Sequence, residues 1–180
     1  MKNDPPQDHP TVKQTFVITG RLPTLNKMLD ANGESPHVYN ALKKEAHELV
    51  ERHLPKKFPA FKSAHFTYEF FEPTKRFDPS NFTAGAVKCI EDALQHAGVI
   101  ENDGWKHVLS ITTKYTSYPG AFPRVKVTLE GETDDRRPEE IRAEKRKARA
   151  EKAKERAEPA GKPRKAVRPA AKRRRKKKVR

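Results

Sequence analysis

Hydrophobic and polar positions along the chain outline a small set of elements. The clearest is residues 64–72, where Phe66, Tyr68 and Phe70 alternate with His65, Thr67, Glu69 and Phe71. Period-two alternation rich in aromatic residues predicts a strand. Residues 14–19, Gln-Thr-Phe-Val-Ile-Thr, predict an earlier buried strand, closed by a turn over residues 20–26. Residues 27–36 read as loop. Over residues 37–54, Val38, Leu42, Ala46, Leu49 and Val50 recur at three- and four-residue spacings, which puts them on one helical face. Pro55 and Pro59 stop that helix.

A charged loop, 73–80, precedes a second helix over residues 81–97, striped by Val87, Ile90, Leu94 and Ala97 and ended at Gly98. A turn at residues 101–104 leads to a strand at 107–116, and another follows at 123–129. Pro119-Gly120 between these two predicts a hairpin. Strand, helix, strand, helix, strand, strand with no internal repeat gives an α/β (α+β) domain: a small mixed sheet with two principal helices.

Charge divides the chain. Of 180 residues, the first 130 carry 17 Lys/Arg against 15 Asp/Glu, and residues 131–180 carry 22 against 9. The overall charge of +15 is thus concentrated in a C-terminal stretch that has no aromatic residue. Such a stretch buries too little apolar surface to offset chain entropy. Within it, residues 138–158 hold opposite charges at helical spacing, as in Lys147/Glu151, and predict a solvated, marginal helix. Residues 159–180 end in Lys172, Arg173, Arg174, Arg175, Lys176, Lys177 and Lys178, which read as a disordered polycation. The organisation expected is a polar lead-in over 1–13, a folded domain over 14–130 and a basic low-complexity tail over 131–180.

No apolar run approaches the roughly 20 residues that cross a bilayer, and nothing after Met1 resembles a secretory signal. The single cysteine, Cys89, excludes an internal disulfide and a zinc site made of cysteine pairs. These features predict a cytoplasmic protein with a polyanionic partner, nucleic acid rather than membrane.

Candidate chemistry gathers between Asp78 and Asp103. Asp78 lies after an aromatic strand and before a helix, Asp103 in the turn before the next strand, and Lys88 and Asp92 one helical turn apart. If the strands next to Asp78 and Asp103 are neighbours, the two carboxylates can converge at one sheet end. Magnesium takes hard oxygen ligands of this kind, commonly one or two carboxylates completed by water and phosphate oxygens, and there it lowers the pKa of an attacking water. A nearby lysine neutralises phosphate charge. The plainer readings remain open: Asp-Pro and Asp-Gly are ordinary turn dipeptides, Asp92 is a natural partner for Lys88, and Trp105 reads more readily as a packed aromatic than as a base-stacking platform.

These residues, in this order, resemble the RusA family of Holliday-junction resolvases. The string is Asp78-Pro79-Ser80-Asn81, Lys88, Asp92-Ala93-Leu94, Ala97-Gly98-Val99-Ile100 and Asn102-Asp103-Gly104-Trp105-Lys106. Upstream, Gly20-Arg21-Leu22-Pro23-Thr24-Leu25-Asn26 is similar to the family's early turn, and Phe70-Phe71-Glu72-Pro73 to its strand exit. The match runs over about residues 14–130. The resemblance implies a RusA-like homodimer, in a bacterial or phage-infected cell and associated with the nucleoid, that cuts four-way junctions and other branched DNA using Mg2+, with Mn2+ as a substitute. It implies Asp78, Lys88 and Asp103 as catalytic, with Asp78, Asp103 and Asp92 around the metal and Ser80, Asn81 and Asn102 in support. Asn26, Lys27, Arg76 and Lys106 would contact DNA.

Two departures shape the expectation. Ser80 stands where the family has a second Asp, which removes one negative charge from the site. This opens an alternative, a junction-binding protein that has lost cleavage. The basic tail lies outside the family pattern, and its polycation, Lys172 to Lys178, reads as an electrostatic tether to phosphates. A further alternative is a basic architectural DNA-binding protein whose tail does the binding.

Overall fold

The computed structural model describes residues 11–157 except 77, 118 and 121. The elements are β1 (Thr11–Thr19), α1 (Leu25–Glu34), α2 (Pro36–His53), β2 (Phe61–Glu72), α3 (Pro79–Ala97), β3 (Val108–Ser117), β4 (Arg124–Thr133) and α4 (Pro138–Ala157). The strands form one mixed sheet in the order β1-β4-β2-β3. β4 runs antiparallel to both β1 and β2, and β3 runs parallel to β2. The α/β character with a small mixed sheet holds.

Alternation decides the layers. Phe66, Tyr68 and Phe70 of β2 lie opposite Leu129, Val127 and Val125 of β4. These six share one sheet face and are buried in a core with Val50 of α2 and Ala86, Ile90 and Leu94 of α3. The opposite face is polar: Thr15 and Thr128 hydroxyls meet at 3.0 Å, His65 Nδ1 meets Ser110 Oγ at 2.7 Å, and Lys13 pairs with Glu130 at 2.8 Å. A mixed sheet with helices on one side accommodates such a division.

The hairpin expected between the last two strands does not form. The Pro119-Gly120 connection carries the chain across β2 instead. Apolar payload explains the choice: Val125, Val127 and Leu129 are buried, so β4 belongs inside the sheet, whereas Leu109, Ile111 and Tyr115 of β3 are about half exposed, which suits an edge. The parallel β2–β3 pair needs a crossover, and α3 supplies it.

The loop expected over residues 27–36 is largely helical. The Thr24 hydroxyl accepts from Lys27 N at 3.3 Å and starts α1. Ser35 then ends α1 and starts α2, with its Oγ accepting from Val38 N at 3.3 Å and Pro36 in the first helical turn.

Order also extends past the expected limits of the domain. Thr11 already pairs with Glu132, so strand structure begins inside the expected lead-in. At the other end β4 continues to Thr133, and the helix expected over 138–158 docks on the body through the buried Ile141. Arg136 ties the junction together by bonding Asp134, Glu101 and Glu144. Among the described residues no helix is long and apolar enough to cross a membrane.

Candidate functional site

Helix α3 carries the chemistry at its N-terminus and along its middle. Asp78 is its N-cap: Oδ1 accepts from Ser80 N at 3.0 Å and from Ser80 Oγ at 2.6 Å. The Ser80 hydroxyl bond, with the backbone bonds, holds the Asp78 carboxyl below its usual range. Asn81 Oδ1 accepts from Asn26 N at 2.9 Å, which joins the start of α1 to the start of α3. Gly85 permits this junction, because a side chain there would run into the backbone of Pro23, Thr24 and Leu25.

Farther along the helix, Lys88 Nζ lies 2.9 Å from Asp92 Oδ1 and 2.5 Å from Asp103 Oδ2. Asp92 Oδ2 is also 2.6 Å from Lys43 Nζ of α2. Two carboxylates from separate segments therefore meet at one ammonium. The Lys88 pKa is raised: partial burial opposes its charge, but the bonds to Asp103 and Asp92 outweigh that. The Asp103 carboxyl is lowered by its bond from Lys88. For Asp92, burial acts upward and the bonds from Lys43 and Lys88 prevail, so its pKa also falls. All three groups are charged at neutral pH.

The structure therefore brings together Lys88, Asp92 and Asp103, and leaves Asp78, Ser80 and Asn81 elsewhere. Lys88 lies ten positions beyond Asp78, ~15 Å along the helix axis. Among the described residues no three His, Cys, Asp or Glu side chains converge as a metal cage. The pair Asp92 and Asp103 nevertheless fits magnesium in donor type and number, since that ion commonly takes one or two protein carboxylates. Asn102 is a turn former, its Oδ1 accepting from Gly104 N at 3.2 Å. Lys27, Arg76 and Lys106 are exposed, as DNA contacts would be. Trp105 is not packed: it is 93% exposed in the segment that follows Asp103. The polycation from Lys172 to Lys178 lies outside the described residues.

Two site residues escaped the sequence reading. Lys43 comes from a different helix, and nothing local in its own segment signals the contact. Glu91 had a signal: it is a carboxylate at the apolar spacing Val87, Glu91, Leu94 on α3. It is buried, burial raises its pKa, and the buried Tyr68 donates to its Oε1 at 3.4 Å. Cys89, beside it, is inert: burial pushes its thiol up to about 11.

No family model and no curated protein matches the chain. Among solved structures, it is similar to a TubZ-Bt four-stranded filament at 11% identity and a TM-score of 0.37, covering 82% of this chain and 30% of that one. It is also similar to GDP-bound monomeric CetZ1 from Haloferax volcanii, at 12% identity and a TM-score of 0.28, covering 75% of this chain and 34% of that one. The chain thus spans about a third of the length of these proteins. Likeness at this level carries nothing about function.

Proposed function

We propose that this protein is a metal-dependent endodeoxyribonuclease acting on branched DNA, four-way junctions above all, in the cytoplasm and at the nucleoid. The observation that carries the reading is the convergence of Asp92 and Asp103 on Lys88, in the order and spacing that resemble the RusA family. Asp103 and Asp92 would hold Mg2+, with Mn2+ as a substitute. The metal supplies charge neutralisation and a more acidic water. Lys88 then meets the phosphate as a fixed positive charge. Water oxygen bonds to phosphorus, the phosphorus–O3′ bond breaks, and the products are a 5′-phosphate and a 3′-hydroxyl.

Symmetric cutting calls for two copies. The half-exposed Leu109, Ile111 and Tyr115 on the edge strand β3 support a homodimer. Ile111→Asp would shift the sedimenting mass toward monomer, and an unchanged mass would exclude this edge.

A second reading has its own support: a junction-binding protein without cleavage. Asp78 is committed to capping α3 and sits far from Lys88, and Ser80 replaces an acid. The deciding experiment offers a labelled synthetic four-way junction to the full chain with magnesium, with manganese or with chelator. Paired metal-dependent nicks near the crossover, lost in Asp103→Asn, are expected. Tight junction binding without any cut would favour the second reading, and activity appearing in Ser80→Asp would seal it.

A further inference from the structure

A helix that docks on a protein body ordinarily turns an apolar stripe inward. Among the described side chains of α4 Ile141 alone is buried, and the positions that continue its inner side are Arg142, Lys145, Arg146 and Arg149. At 3.6 residues per turn, spacings of three and four put these four on one face. That face lines a groove of about 330 Å³, whose other walls are Lys43 and His47 of α2 and Asp92, Gln95 and His96 of α3.

The groove is strongly cationic. Five basic side chains stand against one lining carboxylate, Asp92, which Lys43 and Lys88 already share. Glu51 nearby is held by His96 at 2.6 Å. Lys145 Nζ is anchored to the carbonyls of Gln95 and Ile100, at 3.1 and 3.3 Å, which fixes the helix against α3. Among the described residues, Arg142, Arg146 and Arg149 form no ion pair, although α4 carries Glu139, Glu140, Glu144 and Glu151. Arg136 and Arg137, outside the groove, are by contrast bonded to carboxylates. His47 Nε2, on the groove wall, is buried without a partner among the described residues.

We propose that this groove binds the phosphodiester backbone of a DNA strand. Guanidinium groups suit phosphate oxygens by geometry as well as charge. From Arg142 to Arg149 the stripe runs ~10 Å along the helix axis, or about three nucleotide steps of a strand. That extent suits a polymer better than a single phosphate. Asp92 belongs both to the groove wall and to the Lys88 cluster, so a strand in the groove passes beside the paired carboxylates. Binding by the groove stands alone; that the strand it holds is the one cut rests on the nuclease reading.

The test uses the full chain with chelator present, and labelled linear duplex and four-way junction as probes over a range of salt. Each phosphate neutralised contributes about 0.9 to the salt slope. Arg146→Gln/Arg149→Gln should therefore reduce the slope by about 2. Lys147→Gln/Lys154→Gln removes equal charge from the opposite face of α4 and should change it by less than half as much. Both replaced pairs are exposed, and circular dichroism checks that the fold is kept. Equal effects of the two variants, or none from the first, would overturn the groove. So would groove-dependent binding of phosphatidylglycerol vesicles without groove-dependent binding of DNA. A groove-dependent slope in a protein that never cuts with magnesium keeps the groove and removes the nuclease. Cutting with an unaltered slope in the groove variant does the reverse.

Discussion

The Lys88 ammonium lies 2.5 Å from Asp103 Oδ2, so the turn after α3 is tied back to the middle of that helix. The bond leaves Asp103 partly exposed and charged, which is compatible with the metal-binding role proposed for it. Asp103→Asn keeps the shape and removes the charge. Metal-dependent junction cleavage should fall by on the order of 10²-fold or more, with the denaturation midpoint little changed. Cleavage at the wild-type rate would remove Asp103 from the site.

Asp92 makes a second prediction through pH. Its folded pKa is depressed by Lys43 and Lys88, which outweigh burial. A carboxylate with a depressed folded pKa contributes stability that is complete above its unfolded value of about 3.9, and this is lost as pH falls through the folded value. Asp92→Asn should thus cost about 1–3 kcal/mol at pH 7 and much less near pH 2. Urea unfolding of both proteins at the two pH values measures this. An equal loss at both would mean that packing, not charge, makes Asp92 important.

The parts of this architecture that could be read from sequence are those with local causes. The strand around Phe66, Tyr68 and Phe70 and the helix around Val87, Ile90 and Leu94 announce themselves by period, because burial on one face selects every second, or every third or fourth, residue. The Lys88–Asp92 contact follows from one helical turn. Helix α1 was hidden because only Met28 and Ala31 are buried on it, and Gly33 weakens the pattern. The position of β4 between β1 and β2 was hidden because a Pro-Gly step sets a turn and not the neighbour that a strand finds beyond it. Lys43 reaches Asp92 from 49 positions away in sequence, a contact that tertiary packing alone creates.

Gly85 tests how tightly the two ends of this arrangement are coupled. Its missing side chain lets α3 lie against the backbone of Pro23, Thr24 and Leu25, where rigid main chain has no flexible group to yield. Gly85→Ala would ordinarily favour a helix. Here overpacking should dominate, destabilising by about 1–3 kcal/mol and weakening the Asn26–Asn81 contact. Chemical denaturation reads the loss, and an unchanged or raised midpoint would show that α1 can move away freely.

The last prediction concerns where the chain can be cut to isolate the polycation. A stop after residue 131 would look natural from charge alone. It would remove the end of β4, including the Phe61–Thr133 pairing, the ion pairs of Arg136, and the buried Ile141. Burial of an isoleucine contributes about 1.5–3 kcal/mol, so that truncation should lose stability and DNA binding together, and the two losses would be confounded. A stop after Ala157 keeps every described element and removes Lys172 through Lys178. The longer truncate should unfold at the same denaturant concentration as the full chain, while its DNA-binding salt slope falls by as much as about 0.9 for each phosphate the polycation neutralises. An unaltered slope would show that the polycation takes no part in binding, and the electrostatic attraction would then come from the residues that the truncate keeps, the groove beside α4 among them.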